Sequence, residues 1–268
     1  MAESSKNKKI GLALGSGAVR GYAIFPVIHR IKKEGINIRA VSGSSIGALI
    51  GAYYALHGEA DTLLKHAAKL RKKDWLKLVD PNKPNISIIK GEKIKKFLTN
   101  HYYGDATFKD TKVPLVVCTT DPIKRKSVYL DKGKIIDAVM ASISIPGIFP
   151  PFKIRNRLFI DGGILDPVPV KPLRDMGIKK IVGINLMGYI EPNPAKDMDL
   201  ISSLLNTSYM MMEEISKREE NKNLFILEPK FIPDPPHMLS FYKWKDKHKI
   251  GQELIDAKIT ELTAWLKK

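Results

Sequence analysis

The chain has 268 residues, and its 44% hydrophobic and 27% charged content describes a globular protein with a full core, not a disordered one. No apolar run reaches the ~18 residues of a membrane span, and the polar start MAESSKNKK lacks a signal-type apolar region after it. The single cysteine, Cys118, excludes an internal disulfide and fits a reducing cytoplasm.

The formal net charge of +17 is the unusual bulk property, with lysines dense over residues 65–77, 83–96, 124–126 and 243–249. Asp and Glu interleave with them, so a solvated face is the first reading. Peripheral contact with an anionic membrane surface is the second. Nucleic acid comes last, and no such partner is expected, because the chain has no helix-turn-helix, zinc-finger or aromatic-rich RNA-binding signature.

After a polar leader over residues 1–8, the chain reads as one domain over 9–268. Residues 9–14 form a buried strand that runs into Gly15-Ser16-Gly17-Ala18-Val19-Arg20-Gly21 and an apolar helical pattern through Ile31. A glycine-rich turn between strand and helix leaves converging backbone N–H groups, a ready anion site. Two uses compete for it. Nucleotide phosphate binding is disfavoured by the G-x-G-x-x-x-G spacing and by the lack of an acidic ribose partner or a Gly-Lys-Ser/Thr. The other use is an oxyanion hole serving a serine on the next strand–helix turn, with Arg20 tying the loop down. Pro26 must lie near the first turn of its helix or kink it.

That serine follows at once. Ile38, Ala40 and Val41 lead into Gly43-Ser44-Ser45-Ile46-Gly47 and a helix over 46–56, the G-x-S-x-G nucleophile elbow in its strand–turn–helix setting. Ser45 is the candidate nucleophile, at a strained turn that lifts its hydroxyl clear of the sheet. Gly43 and Gly47 flank it where a Cβ would collide, and Ser44 points away. A small-residue turn before a helix is also a common packing corner, so the motif alone does not make a catalyst.

Farther on, residues 61–79 read as one lysine-rich amphipathic helix, 92–100 as a short helix, and 113–120 and 127–130 as strands. Residues 134–142 are helical and lead into ASISIPGIFPP, an irregular wall. A strand over 155–160 ends in Asp161-Gly162-Gly163. Asp161 is placed either for a catalytic carboxylate or for a turn aspartate bonding its own backbone. A strand over 178–186, a helix over 199–218 whose Tyr209-Met210-Met211-Met212 run suits a core face or acyl chains, a strand over 224–227, a proline-rich loop over 231–237 and a helix over 247–268 complete the chain.

The segments GLALGSGAVRG, GSSIG, ASISIPGIFPP and DGGILDPVPV, in this order, resemble the patatin-like phospholipases from about Lys9 to the last helix. The resemblance implies an α/β, three-layer α/β/α acyl hydrolase fold with a mainly parallel central sheet. It implies a Ser45–Asp161 dyad without a catalytic histidine, and an oxyanion hole from the backbone of Gly15, Ser16, Gly17 and Ala18. Arg20, Gly21, Gly43, Gly47, Gly162 and Gly163 would support these motifs. The implied substrate is a lipid or other acyl ester, with no cofactor and no metal. Ala18 departs from the family's usual glycine, and its Cβ is harmless only if φ there is not positive. Two other readings stay open: a Ser–Asp–His hydrolase with His237 as the histidine, and a non-catalytic protein binding a membrane or partner on the same scaffold.

Overall fold

The computed structural model describes residues 9–83, 87–190, 200–217, 222–231 and 241–268. The expected leader, the break at 191–194, most of the proline-rich loop and His237 lie outside these residues.

Alternation along the first strand, β1 (Lys9–Leu14), sets the layers. Ile10, Leu12 and Leu14 face the larger apolar core, while Ala13 faces a smaller cluster with Ala40, Val168, Val170, Leu173 and Ile181. Side chains alternate across a strand, so one apolar run fills both layers, as strands buried on both faces require. A 3₁₀ turn (Ala18–Ala23) leads from β1 into α1 (Ile24–Lys33). Pro26 is the third residue of α1, where its missing N–H breaks no intrahelical bond.

Next come β2 (Asn37–Ser44), α2 (Ile46–His57), α3 (Asp61–Lys69), α4 (Lys72–Lys77) and α5 (Glu92–Leu98). The single helix expected over 61–79 is thus two helices. Leu70 and Arg71 are extended, the Asp74 carboxylate accepts the Arg71 N–H at 3.1 Å, and Trp75 stacks on Phe241 with ring centroids 5.0 Å apart. A new N-terminus and a distant aromatic partner override a continuous helical period.

The hairpin of β3 (Leu115–Asp121) and β4 (Lys126–Leu130) precedes α6 (Ile135–Ser142). The strand expected from 155 is the second arm of another hairpin, β5 (Phe152–Ile154) and β6 (Arg157–Asp161), with Arg155 at its turn in a left-handed conformation, φ 53°. The remaining elements are α7 (Lys171–Asp175), β7 (Ile181–Ile184), β8 (Tyr189–Ile190), α8 (Leu200–Ser216), β9 (Leu224–Leu227), β10 (Lys230–Phe231) and α9 (Trp244–Lys267).

The main sheet has the order β5-β6-β3-β2-β1-β7-β9, with β4 also on β3. Its inner pairs β3/β2, β2/β1, β1/β7 and β7/β9 are parallel, and the β6 side is antiparallel. Parallel β1 and β2 bring the loop at 15–18 and Ser45 to one carboxyl edge of the sheet, where α/β sites form. Register brings in a third element. Ser44 pairs with Cys118 and Thr119 pairs with Asp161, so β3 carries Ser45 on one flank and Asp161 on the other at the same height.

Candidate active site

Ser45 begins at the backbone. Its φ of 54° and ψ of −123° lie in a conformation that L-residues rarely adopt, at a cost of about 1–3 kcal/mol that the surroundings must hold. Those surroundings are glycines packed to contact. A Cβ on Gly43 would run into the Gly47 carbonyl, one on Gly47 into the Leu14 carbonyl, and one on Gly21 into Ile46. The Ser44 hydroxyl points away from Ser45 and donates to the Asp166 carbonyl at 2.6 Å.

The Ser45 hydroxyl donates to Asp161 Oδ2 at 2.6 Å, across 116 positions of chain. Asp161 Oδ1 accepts the Gly163 N–H at 2.8 Å. The aspartate is therefore both the turn-former and the serine's partner, since its two oxygens divide those roles. It is 1% exposed. Burial pushes its pKa from 3.8 to about 7, against the Ser45 and Gly163 hydrogen bonds, which favour the carboxylate. Gly162 and Gly163 are again contact points, against the Cys118 carbonyl and the Ser16 hydroxyl respectively.

The loop after β1 divides in two. Gly15 N–H donates to the Ile184 carbonyl at 3.0 Å and Ser16 N–H to the Pro167 carbonyl at 2.9 Å, so both are committed. The N–H groups of Gly17 and Ala18 have no hydrogen-bond partner among the described residues. Ala18 sits at φ 48°, the left-handed region in which its Cβ carries a steric cost. Arg20 is 4% exposed. It reaches the Leu186 carbonyl at 3.4 Å and lies over the rings of Tyr209 and Phe231, at 5.8 and 5.4 Å from their centroids.

Two spaces meet at Ser45. One is an apolar cavity of about 420 Å³ that extends from Ala18 and Ser45 past Leu49, Phe97 and Phe149 to Trp75 on α4. The other is a narrow cleft beside Asp161, walled by Ser16, Ile164, Tyr209 and Met212. The Tyr209–Met212 run is split accordingly: Tyr209 and Met212 are buried, while Met210 and Met211 are exposed. Sequence reasoning missed Ser142, whose hydroxyl accepts the Ser45 N–H and donates to the Cys118 carbonyl. Its only local signal was its place in the small-residue run ASISIPG. No three His, Cys, Asp or Glu side chains converge on a metal-sized site among the described residues.

A mainly parallel α/β sheet with a buried, hydrogen-bonded serine and aspartate at its carboxyl edge has the patatin fold. The model for the patatin-like phospholipases matches residues 12–174, and the chain belongs to that family. An uncharacterized NTE family protein of Mycobacterium tuberculosis is 34% identical over 73% of this chain and 53% of its own length. Lysophospholipase NTE1 of Candida albicans is 24% identical over 96% of this chain and 20% of its own length. The chain thus spans about half the length, or less, of these curated relatives. The crystal structure of VipD from Legionella pneumophila superposes with a TM-score of 0.53 at 15% identity, over 93% of this chain and 67% of that one. That likeness concerns the fold.

Proposed function

We propose that the chain is a serine acyl hydrolase that cleaves lipid carboxylic esters, of the phospholipase A or lysophospholipase kind, as one catalytic domain over residues 9–268. The observation that carries this reading is the 2.6 Å hydrogen bond from Ser45 Oγ to a buried carboxylate whose pKa is about 7. Serine is a weak nucleophile until a base takes its proton, and the base works best when its pKa lies near the working pH.

In the proposed reaction Ser45 Oγ attacks the ester carbonyl carbon as its proton passes to Asp161 Oδ2. The tetrahedral oxyanion is held by the N–H groups of Gly17 and Ala18 beside the N-terminus of α2. Collapse breaks the bond to the alcohol oxygen, which leaves with the proton from Asp161. Water then gives a proton to Asp161 as it adds to the acyl carbon. The second tetrahedral intermediate collapses by breaking the bond to Ser45 Oγ, which takes that proton back from Asp161, and the fatty acid is released. Esters suit this base, because an ester's oxygen leaves with less proton donation than an amide's nitrogen, which must be protonated before it can be expelled. The apolar cavity suits the acyl chain, and the name lysophospholipase carried by relatives supports a lipid ester. The basic surface suits peripheral contact with an anionic membrane.

The test is Ser45→Ala. It abolishes hydrolysis of a p-nitrophenyl ester and labelling by a fluorophosphonate while the circular dichroism spectrum is retained; unchanged turnover would overturn the proposal. His237→Asn is expected to retain turnover, and its loss would favour the histidine-dependent reading.

A further inference from the structure

The apolar cavity has two very different ends. At one lies Ser45, 5% exposed; at the other lies Leu76 of α4, 59% exposed. Lys72, which also lines this outer end, is exposed. α3 and α4 wall this outer end through Leu63, Ala67, Lys72, Trp75 and Leu76.

That wall has an unusual composition. Residues 61–77 hold six cations, Lys65, Lys69, Arg71, Lys72, Lys73 and Lys77, against two carboxylates, Asp61 and Asp74. All six cations are exposed. Asp74 lies between Arg71 at 3.6 Å and Lys77 at 3.9 Å, so its charge is already offset. The two helices are lightly held: α3 buries one side chain, Leu63, and α4 buries none. Trp75 rests on Phe241, and its buried Nε1–H has no hydrogen-bond partner among the described residues.

We infer that the α3–α4 face docks on an anionic phospholipid bilayer, and that an acyl chain leaves the bilayer beside Leu76 to enter the cavity toward Ser45. Charge complementarity selects the occupant. Six exposed cations on two short helices that also carry an exposed leucine match phosphate and carboxylate headgroups over hydrocarbon, the composition of interfacial helices. A nucleic acid would find the cations but no use for a hydrocarbon mouth joined to a serine. The inference rests on the acyl hydrolase reading for its purpose but has its own measurement.

The probe is sedimentation with vesicles of phosphatidylcholine alone or of equal parts phosphatidylcholine and phosphatidylserine. The Ser45→Ala chain serves as parent, so that the lipid stays intact. The parent binds the mixed vesicles and is released by salt, which shortens the screening length from ~10 Å at 0.1 M to ~3 Å at 1 M. Each lysine near such a surface contributes about 1 kcal/mol, so Lys65→Gln/Lys69→Gln/Lys73→Gln weakens binding by roughly 100-fold. With Ser45 intact, the triple variant keeps its turnover of a water-soluble short-chain ester and loses turnover of vesicle lipid. Equal binding to both vesicle types, or a triple variant that binds like its parent, would overturn the docking surface. Soluble-ester turnover without vesicle binding would overturn it too, while leaving the hydrolase in place. Vesicle binding that the triple variant loses, in a chain that hydrolyses no ester, would support the surface and remove the hydrolase reading.

Discussion

The Ser142 hydroxyl accepts the Ser45 N–H at 2.9 Å and donates to the Cys118 carbonyl at 2.6 Å. One side chain from α6 thus joins the strained turn after β2 to the strand β3 that carries Asp161 on its other flank. Ser142 is fully buried, so Ser142→Ala leaves an N–H and a carbonyl without partner or water. The expected loss is about 3 kcal/mol of stability, read as a fall in Tm of roughly 10 °C. Because the same bond holds Ser45 at its φ of 54°, kcat also falls by about 10-fold or more. A Tm within error of the parent would show that the turn holds itself.

Asp161 acts on the serine only as the carboxylate, and its pKa is about 7. The kcat/KM for a soluble ester therefore rises roughly tenfold per pH unit below that value and levels off above it. A profile that is flat across this range would assign the proton transfer to another group.

The same burial makes Asp161 a stability cost. In the unfolded chain it loses its proton near 3.8, whereas in the fold it keeps it to about 7. Between these values the folded state binds more protons than the unfolded state, so stability falls as pH rises and is flat above the window. The full cost is about 4 kcal/mol at most. Asp161→Asn, inactive under the proposed mechanism, is accordingly expected to be more stable than the parent above about pH 7 and to lose that advantage near pH 4. Denaturant melts at the two pH values measure this, and a variant less stable at both would show that the Ser45 and Gly163 bonds outweigh the burial.

These three predictions draw unequally on what could be read from the chain. The elbow was legible because its demands are local: Gly43 and Gly47 sit within two residues of Ser45, and a Cβ at either has nowhere to go. Asp161 was legible as a candidate at a strand end, but both of its roles needed the register of β6 on β3. The spent N–H groups of Gly15 and Ser16 were invisible, since their acceptors, Ile184 on β7 and Pro167 in the loop before α7, are distant along the chain and meet them only in the fold. The break between α3 and α4 was invisible for the same reason, as Trp75 takes its ring partner from Phe241. Periodicity reports which face is apolar, not which distant side chain will meet it.

Ala18 holds a φ of 48°, and its N–H has no partner among the described residues. A left-handed alanine costs about 1–2 kcal/mol, of which a glycine would return part to backbone entropy in the unfolded chain. Ala18→Gly is thus expected to raise stability by about 0.5–1 kcal/mol and to leave kcat nearly unchanged, since the N–H keeps its position. Equilibrium denaturation and steady-state kinetics test the two halves separately. A large fall in kcat without loss of stability would mean that the alanine methyl holds the loop in place.

Leu49 lies one helical turn beyond Ser45 on α2 and lines the cavity. Residues four apart on a helix share a face, so its side chain stands where an acyl chain leaving the reacting carbon would begin. It is half-buried and not locked in the core, so Leu49→Trp can fill the space without the overpacking of a closed site. Short-chain p-nitrophenyl esters, which need only the first part of the cavity, should be turned over at near-parental rates. Long-chain esters should lose at least 10-fold in kcat/KM, because remote acyl contacts supply binding energy that the transition state uses. An equal loss for every chain length would mean that the tryptophan disturbs Ser45 itself, and an equal retention would mean that the acyl chain lies elsewhere.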